Sequence, residues 1–99
     1  MEERRDYRRK QVDINAVYKG SSETFEKGQI KDISYGGMFI ETDSPLDEGT
    51  LIIASLDASD FGKIIRVQGH VIRVTTKGAG IKFTSIDKKG VETITSYRS

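Results

Sequence analysis

The sequence predicts an all-β domain, six antiparallel strands closed into a barrel or compact sandwich and followed by one short C-terminal helix. Three observations predict it. Apolar residues alternate with polar ones in short segments, the period of a half-buried strand. Ten glycines against a single proline break those segments into closely spaced pieces. Only the tail repeats its apolar positions at helical spacing.

Taken in order, Val12, Ile14, Ala16 and Tyr18 alternate with Asp13, Asn15 and Lys19 and form the first strand. Gly20-Ser21-Ser22 turns the chain. Phe25 to Ile33 reads as a second strand, with Gly28 marking a bulge or bend. Gly36-Gly37 breaks the chain again before a third strand, Met38 to Thr42. Ser44 to Gly49 is a loop in which Pro45 fixes φ and Gly49 supplies a positive one. Thr50 to Leu56 is apolar on both faces, the pattern of a strand covered on both sides. Asp57 to Asp60 turns into a long fifth strand, Lys63 to Thr75, and Lys77-Gly78 into a sixth, Ala79 to Thr84. Asp87 caps a helix over 87–98 in which Val91, Ile94 and Tyr97 or Arg98 share a face, and Gly90 weakens it by about 1 kcal/mol relative to alanine. Six strands left open would expose two edges, so closure is expected.

Ninety-nine residues fit one domain, 1–99, with a basic arm at 1–11, a barrel at 12–84 and the helix behind it. Hydrophobic residues at 35% supply one core. The absence of cysteine removes disulfides, thiolate metal sites and cysteine nucleophiles together. The longest apolar run, Leu51 to Ala54, is far below the ~20 residues of a membrane-spanning helix. No apolar stretch follows the charges of MEERRDYRRK, so a secretory signal is not expected and a cytoplasmic location is.

Catalysis finds no support. His70 is the only histidine, expected on the solvent face of the fifth strand, and the carboxylates are scattered through turns. The net charge of +1 conceals an asymmetry: residues 1–10 hold five basic and three acidic residues. A neutral body with a basic arm points to one local anion site rather than to a broad nucleic-acid surface.

Two clusters carry the remaining chemistry. Arg4-Arg5-Asp6-Tyr7-Arg8-Arg9 holds two overlapping Arg-x-x-x-Arg pairs ahead of the first strand. Each guanidinium is a planar fork matched to phosphate oxygens or to the O6/N7 edge of guanine. Alone, such a terminal run is most often a solvated tail. Asp32-Ile33-Ser34-Tyr35-Gly36-Gly37 ends the second strand. In extended chain Asp32 and Ser34 share a face while Ile33 turns inward. The carboxylate can accept from N1–H and N2–H₂ of a guanine, and the serine can donate and accept. Gly36 and Gly37 permit angles barred to other residues and, without side chains, let a flat base approach the sheet. The alternative is an ordinary turn in which Asp32 and Ser34 cap nearby amides.

Together, Arg5-x-x-x-Arg9 preceded by Arg4, and Asp32-x-Ser34-x-x-Gly37, resemble the signature of the PilZ domain family. Gly49-Thr50-Leu51-Ile52, Gly69-x-Val71 and Gly78-x-Gly80-Ile81-Lys82-Phe83 are similar to later segments of that family, so the resemblance covers nearly the whole chain. It implies a six-stranded antiparallel barrel with a C-terminal helix, and a bacterial receptor for the second messenger cyclic di-GMP rather than an enzyme. By the same resemblance, Arg5 and Arg9 grip phosphates and Hoogsteen edges, with Arg4 assisting. Asp32 and Ser34 hold one guanine and Gly37 shapes the loop; Arg8 and Gly36 lie nearby, and Arg73 either stacks on a base or faces solvent. No cofactor beyond this ligand is implied. The expected partners are the nucleotide and a downstream protein, with the chain a monomer and neither DNA, RNA nor membrane insertion involved. Two alternatives stand beside it. One is a PilZ-fold adaptor that binds protein and no nucleotide. The other is a single-strand nucleic-acid barrel, disfavoured because Phe25, Phe39, Phe61 and Phe83 mostly suit a core.

Overall fold

The structure is a computed structural model that describes residues 9–20, 24–44, 46–59 and 62–96. Six strands, β1 (Lys10–Lys19), β2 (Glu26–Ile33), β3 (Gly37–Glu41), β4 (Leu51–Ala58), β5 (Lys63–Val74) and β6 (Gly78–Ile86), precede one helix, α1 (Lys88–Ser96). They close in the order β1-β2-β3-β6-β5-β4, with every neighbouring pair antiparallel. The all-β expectation, the strand number and the closure all hold.

One interior collects the inward side of every strand: Ile14, Ala16 and Tyr18; Ile30 and Ile33; Met38 and Ile40; Ile52, Ala54 and Leu56; Ile65, Val67 and Val71; Ala79 and Ile81. Val91 and Ile94 of α1 join this core. Tyr18 is the largest member, and its hydroxyl is satisfied by a 2.8 Å hydrogen bond with the Thr42 hydroxyl. Alternation alone would not turn both Ile30 and Ile33 inward, since they lie an odd number of residues apart. The β2–β3 register slips between Ile30 and Asp32, and this bulge resets the parity. Lys31, the extra residue, reaches Asp13 of β1 at 3.3 Å.

Four sequence expectations need correction. Thr50 to Leu56 is not covered on both sides: Leu51 and Ile53 are about half exposed, at 52% and 50%. A closed barrel has one interior, so residues of the opposite parity face outward whatever their hydropathy. Nor does β4 end at Leu56. Asp57 and Ala58 pair with Ile64 and Lys63, which pushes the turn to Ser59–Gly62. The irregularity of β2 lies at Lys31, whereas Gly28 pairs regularly with Ala16. Lastly, the phenylalanines do not build the core. Phe25 is 60% exposed, Phe39 stands outward and half-buried between Met38 and Ile40, and only Phe83 packs against the core cluster. Phe61 lies outside the described residues.

The helix begins as expected. The Asp87 carboxylate accepts the Gly90 N–H at 3.1 Å, satisfying one of the amides a helix start leaves without a partner. Gly90 is there for packing, because a Cβ would stand 2.7 Å from Ile65 Cγ1 on β5. Gly37 is constrained more severely, since a Cβ there would collide with the Ile81 carbonyl oxygen of β6.

Two substitutions test these contacts by urea denaturation. Gly37→Ala is expected to destabilise the domain by about 2 kcal/mol or more, because the obstacle is backbone and cannot rotate away. Gly90→Ala, which in an exposed helix would gain about 1 kcal/mol, is expected to lower the midpoint instead. A raised midpoint for Gly90→Ala would show that α1 has room to lift from β5.

Candidate functional site

The turn between β2 and β3 is where the chemistry gathers. Ser34 N–H donates to the Gly37 carbonyl at 2.8 Å, closing a tight hairpin over Tyr35 and Gly36. Ser34 is only 3% exposed, and its hydroxyl accepts the Gly36 N–H at 3.1 Å while lying 3.5 Å from the Gly37 carbonyl. The capping turn weighed from the sequence is therefore real at Ser34. On the other side, the Phe83 N–H donates to the Gly36 carbonyl at 2.9 Å, which fastens the turn to β6.

Arg9 enters this turn from the start of β1, where Lys10 pairs with Ile33 and Gln11 with Asp32. Its Nε lies 3.2 Å from Asp32 Oδ1, and its Nη1 reaches the Ser34 hydroxyl at 3.5 Å. One guanidinium thus addresses both residues of the Asp-x-Ser pair, while Ile33 between them is fully buried. The shared face expected from strand parity is what brings Asp32 and Ser34 to the same arginine.

This ion pair is not a finished hydrogen bond. Asp32 Oδ1 is shielded from solvent, yet among the described residues no N–H is aligned on it, and the Arg9 contact is a charge contact only. Both side chains keep access to solvent, at 46% for Arg9 and 22% for Asp32. The arrangement can offer a carboxylate to a ligand with paired N–H groups, a hydroxyl beside it, and a guanidinium fork above both.

Register extends the site across the barrel. Gln11, Asp32, Phe39, Gly80 and Arg73 are successive partners across β1, β2, β3, β6 and β5, so they form one row. Arg73 is exposed and lies over Gly80, whose missing Cβ would stand 3.6 Å from Arg73 Nη2. Sequence reasoning left Arg73 between solvent and ligand and assigned Phe39 to the core. Parity could have turned Phe39 outward, but only the register shows that it stands between Asp32 and Arg73.

Arg4, Arg5 and Arg8 lie outside the described residues. Gly37 belongs to the site through the turn, but its glycine character serves the approach of β3 to β6. Among the described residues positive φ falls at Gly49, as expected from its loop, and at Gly62, not at Gly36 or Gly37. Tyr35 packs partly against the core. His70 faces outward on β5, half-buried. A separate open groove of about 570 Å³ lies on the outer face toward the start of β2, lined by Asn15, Lys27, Gly28, Gln29, Glu41 and Lys77 among others, and Arg9, Asp32 and Ser34 do not line it.

Comparison with known proteins gives the frame for this geometry. The crystal structure of the PilZ domain of CeSA from a cellulose-synthesizing bacterium superposes with a TM-score of 0.65 over 89% of this chain and 91% of that one, at 15% identity. At that identity the likeness establishes the fold. No curated protein matches the sequence. The PilZ domain family profile matches residues 3–98, a span that includes both the arginine run and the Asp32–Gly37 turn, and the chain therefore belongs to the PilZ domain family.

Proposed function

We propose that this domain is a bacterial, cytoplasmic receptor for cyclic di-GMP, a binding and regulatory module without catalysis of its own. The observation that carries the reading is the placement of Arg9 against both Asp32 and Ser34, with a shielded Asp32 oxygen that lacks an aligned donor. A guanine brings N1–H and N2–H₂ side by side, the donor pair such a carboxylate accepts, and cyclic di-GMP brings two guanines and two phosphodiester charges. Family membership supports the same ligand class.

In this mechanism Asp32 and Ser34 take the Watson–Crick side of one guanine. Arg9 and Arg5 hold phosphates and Hoogsteen edges, and Arg4 assists. The row through Phe39 and Gly80 to Arg73 supplies a flat surface ending in a guanidinium that can stack on a base. Fixing the arm that carries Arg4, Arg5 and Arg8 costs on the order of 1–2 kcal/mol per residue, so charge-assisted contacts must exceed that cost. Once fixed, the arm covers one barrel face and alters the surface met by a downstream protein.

Isothermal titration of the chain with cyclic di-GMP, and with GMP as control, tests this directly. Saturable binding of the cyclic dinucleotide is expected, and its stoichiometry distinguishes one ligand from a stacked pair. A flat titration with folded protein would replace the receptor with an adaptor that contacts protein alone. Arg9→Ala and Asp32→Ala should each abolish binding while shifting unfolding by less than about 1 kcal/mol, since a half-exposed ion pair contributes little. Arg5→Lys should weaken binding strongly, because an ammonium cannot reproduce the two-pronged fork. Retained affinity in both alanine variants would remove the site from this turn.

A further inference from the structure

We propose that Lys82 on β6 is a further ligand contact of this site, holding a phosphodiester from the side opposite the arginine arm. The inference rests on the cyclic di-GMP reading above and adds to it a residue outside both sequence motifs.

The juxtaposition is set by register. Lys82 is the cross-strand partner of Gly37, the last residue of the Ser34 turn. The Phe83 N–H bond to the Gly36 carbonyl holds that turn against β6 one residue further on. Gly37 has no side chain, so nothing projects between Lys82 and the turn. Neighbouring strands are ~4.8 Å apart, a span that the four-carbon stem of lysine covers.

The electrostatics single out the same residue. Lys82 is exposed and, among the described residues, its side chain makes no hydrogen bond or ion pair. Its lateral neighbours are Gly37 on β3 and His70 on β5, and along β6 it has Gly80 on its own side and Thr84, the extra residue of a β5–β6 bulge, just beyond Phe83. None is acidic, so the fold gives this cation no partner at the positions where a strand lysine ordinarily finds one. Arg9 and Lys31, by contrast, are each set against an aspartate. A dianionic ligand seated on Asp32 and Ser34 meets Arg9 at the β1 side and Arg73 across β6 at the Gly80 level, which leaves its charge beside Gly37 on β6 to water or to Lys82. A compact ammonium suits a phosphodiester oxygen rather than a base edge.

Titration calorimetry with cyclic di-GMP at low and moderate salt tests the assignment, using the wild-type chain, Lys82→Gln, Lys82→Glu, Lys82→Arg and Lys77→Gln. Lys82→Gln is expected to bind about tenfold more weakly, with a shallower salt dependence. Lys82→Glu should lose more, Lys82→Arg should stay near wild type, and Lys77→Gln, remote in the groove at Glu41, should match wild type. Wild-type affinity in both Lys82→Gln and Lys82→Glu overturns the inference alone, provided Asp32→Ala still abolishes binding. An equal loss in Lys77→Gln also overturns it, by tracing the effect to net charge. Failure of the wild-type chain to bind removes the receptor reading and this inference together.

Discussion

Closure of six strands around a single interior is the constraint on which the rest of this molecule depends. It divides each strand into a side that must be apolar and a side that need not be. It also forces strands into contact at places where a side chain cannot fit. The interior is filled mainly by isoleucine and other aliphatic residues, with Tyr18 the one large aromatic, its hydroxyl held by Thr42. The crossings are relieved by glycine: Gly37 abuts the Ile81 carbonyl, and Gly90 lets α1 settle on Ile65. A glycine that looks like a defect in a helix is thus what allows the helix to add Val91 and Ile94 to the core.

The same constraint makes the site. The bulge at Lys31 sends Ile30 and Ile33 inward together and leaves Asp32 on the outer face. Ser34 then closes the hairpin with its backbone while its buried hydroxyl receives both the Gly36 amide and Arg9. The Phe83 N–H bond to the Gly36 carbonyl fastens this turn to β6, so the barrel itself positions the Asp32–Ser34 pair.

Much of this was legible in the residues, and the failures share one cause. Alternation located β1, glycine punctuation located the turns at Gly36 and at Lys77–Gly78, and the Asp87 cap located the start of α1. Asp32 and Ser34 could be placed on one face because parity is local. What parity could not supply was register and count. The bulge at Lys31 leaves no mark in composition, so the break was assigned to Gly28. Leu51 and Ile53 look like core residues until the barrel gives them only an outside. Phe39 was read by type rather than by position. The row from Asp32 to Arg73 and the pairing of Lys82 with Gly37 join residues far apart in sequence, and no local pattern encodes them.

The Arg9–Asp32 pair bears on the proposed function through what it costs to hold and to separate. An unpaired carboxylate with a shielded oxygen would be costly to hold beside a packed core, and a guanidinium at 3.2 Å lowers that cost by charge alone. Yet the pair is half open to water, so separating it costs less than about 1 kcal/mol. Under the function proposed above, a ligand N–H would give Asp32 Oδ1 a directed hydrogen bond in place of that charge contact. The Arg9–Asp32 contact is thus an easily exchanged one that sets both groups at the same turn.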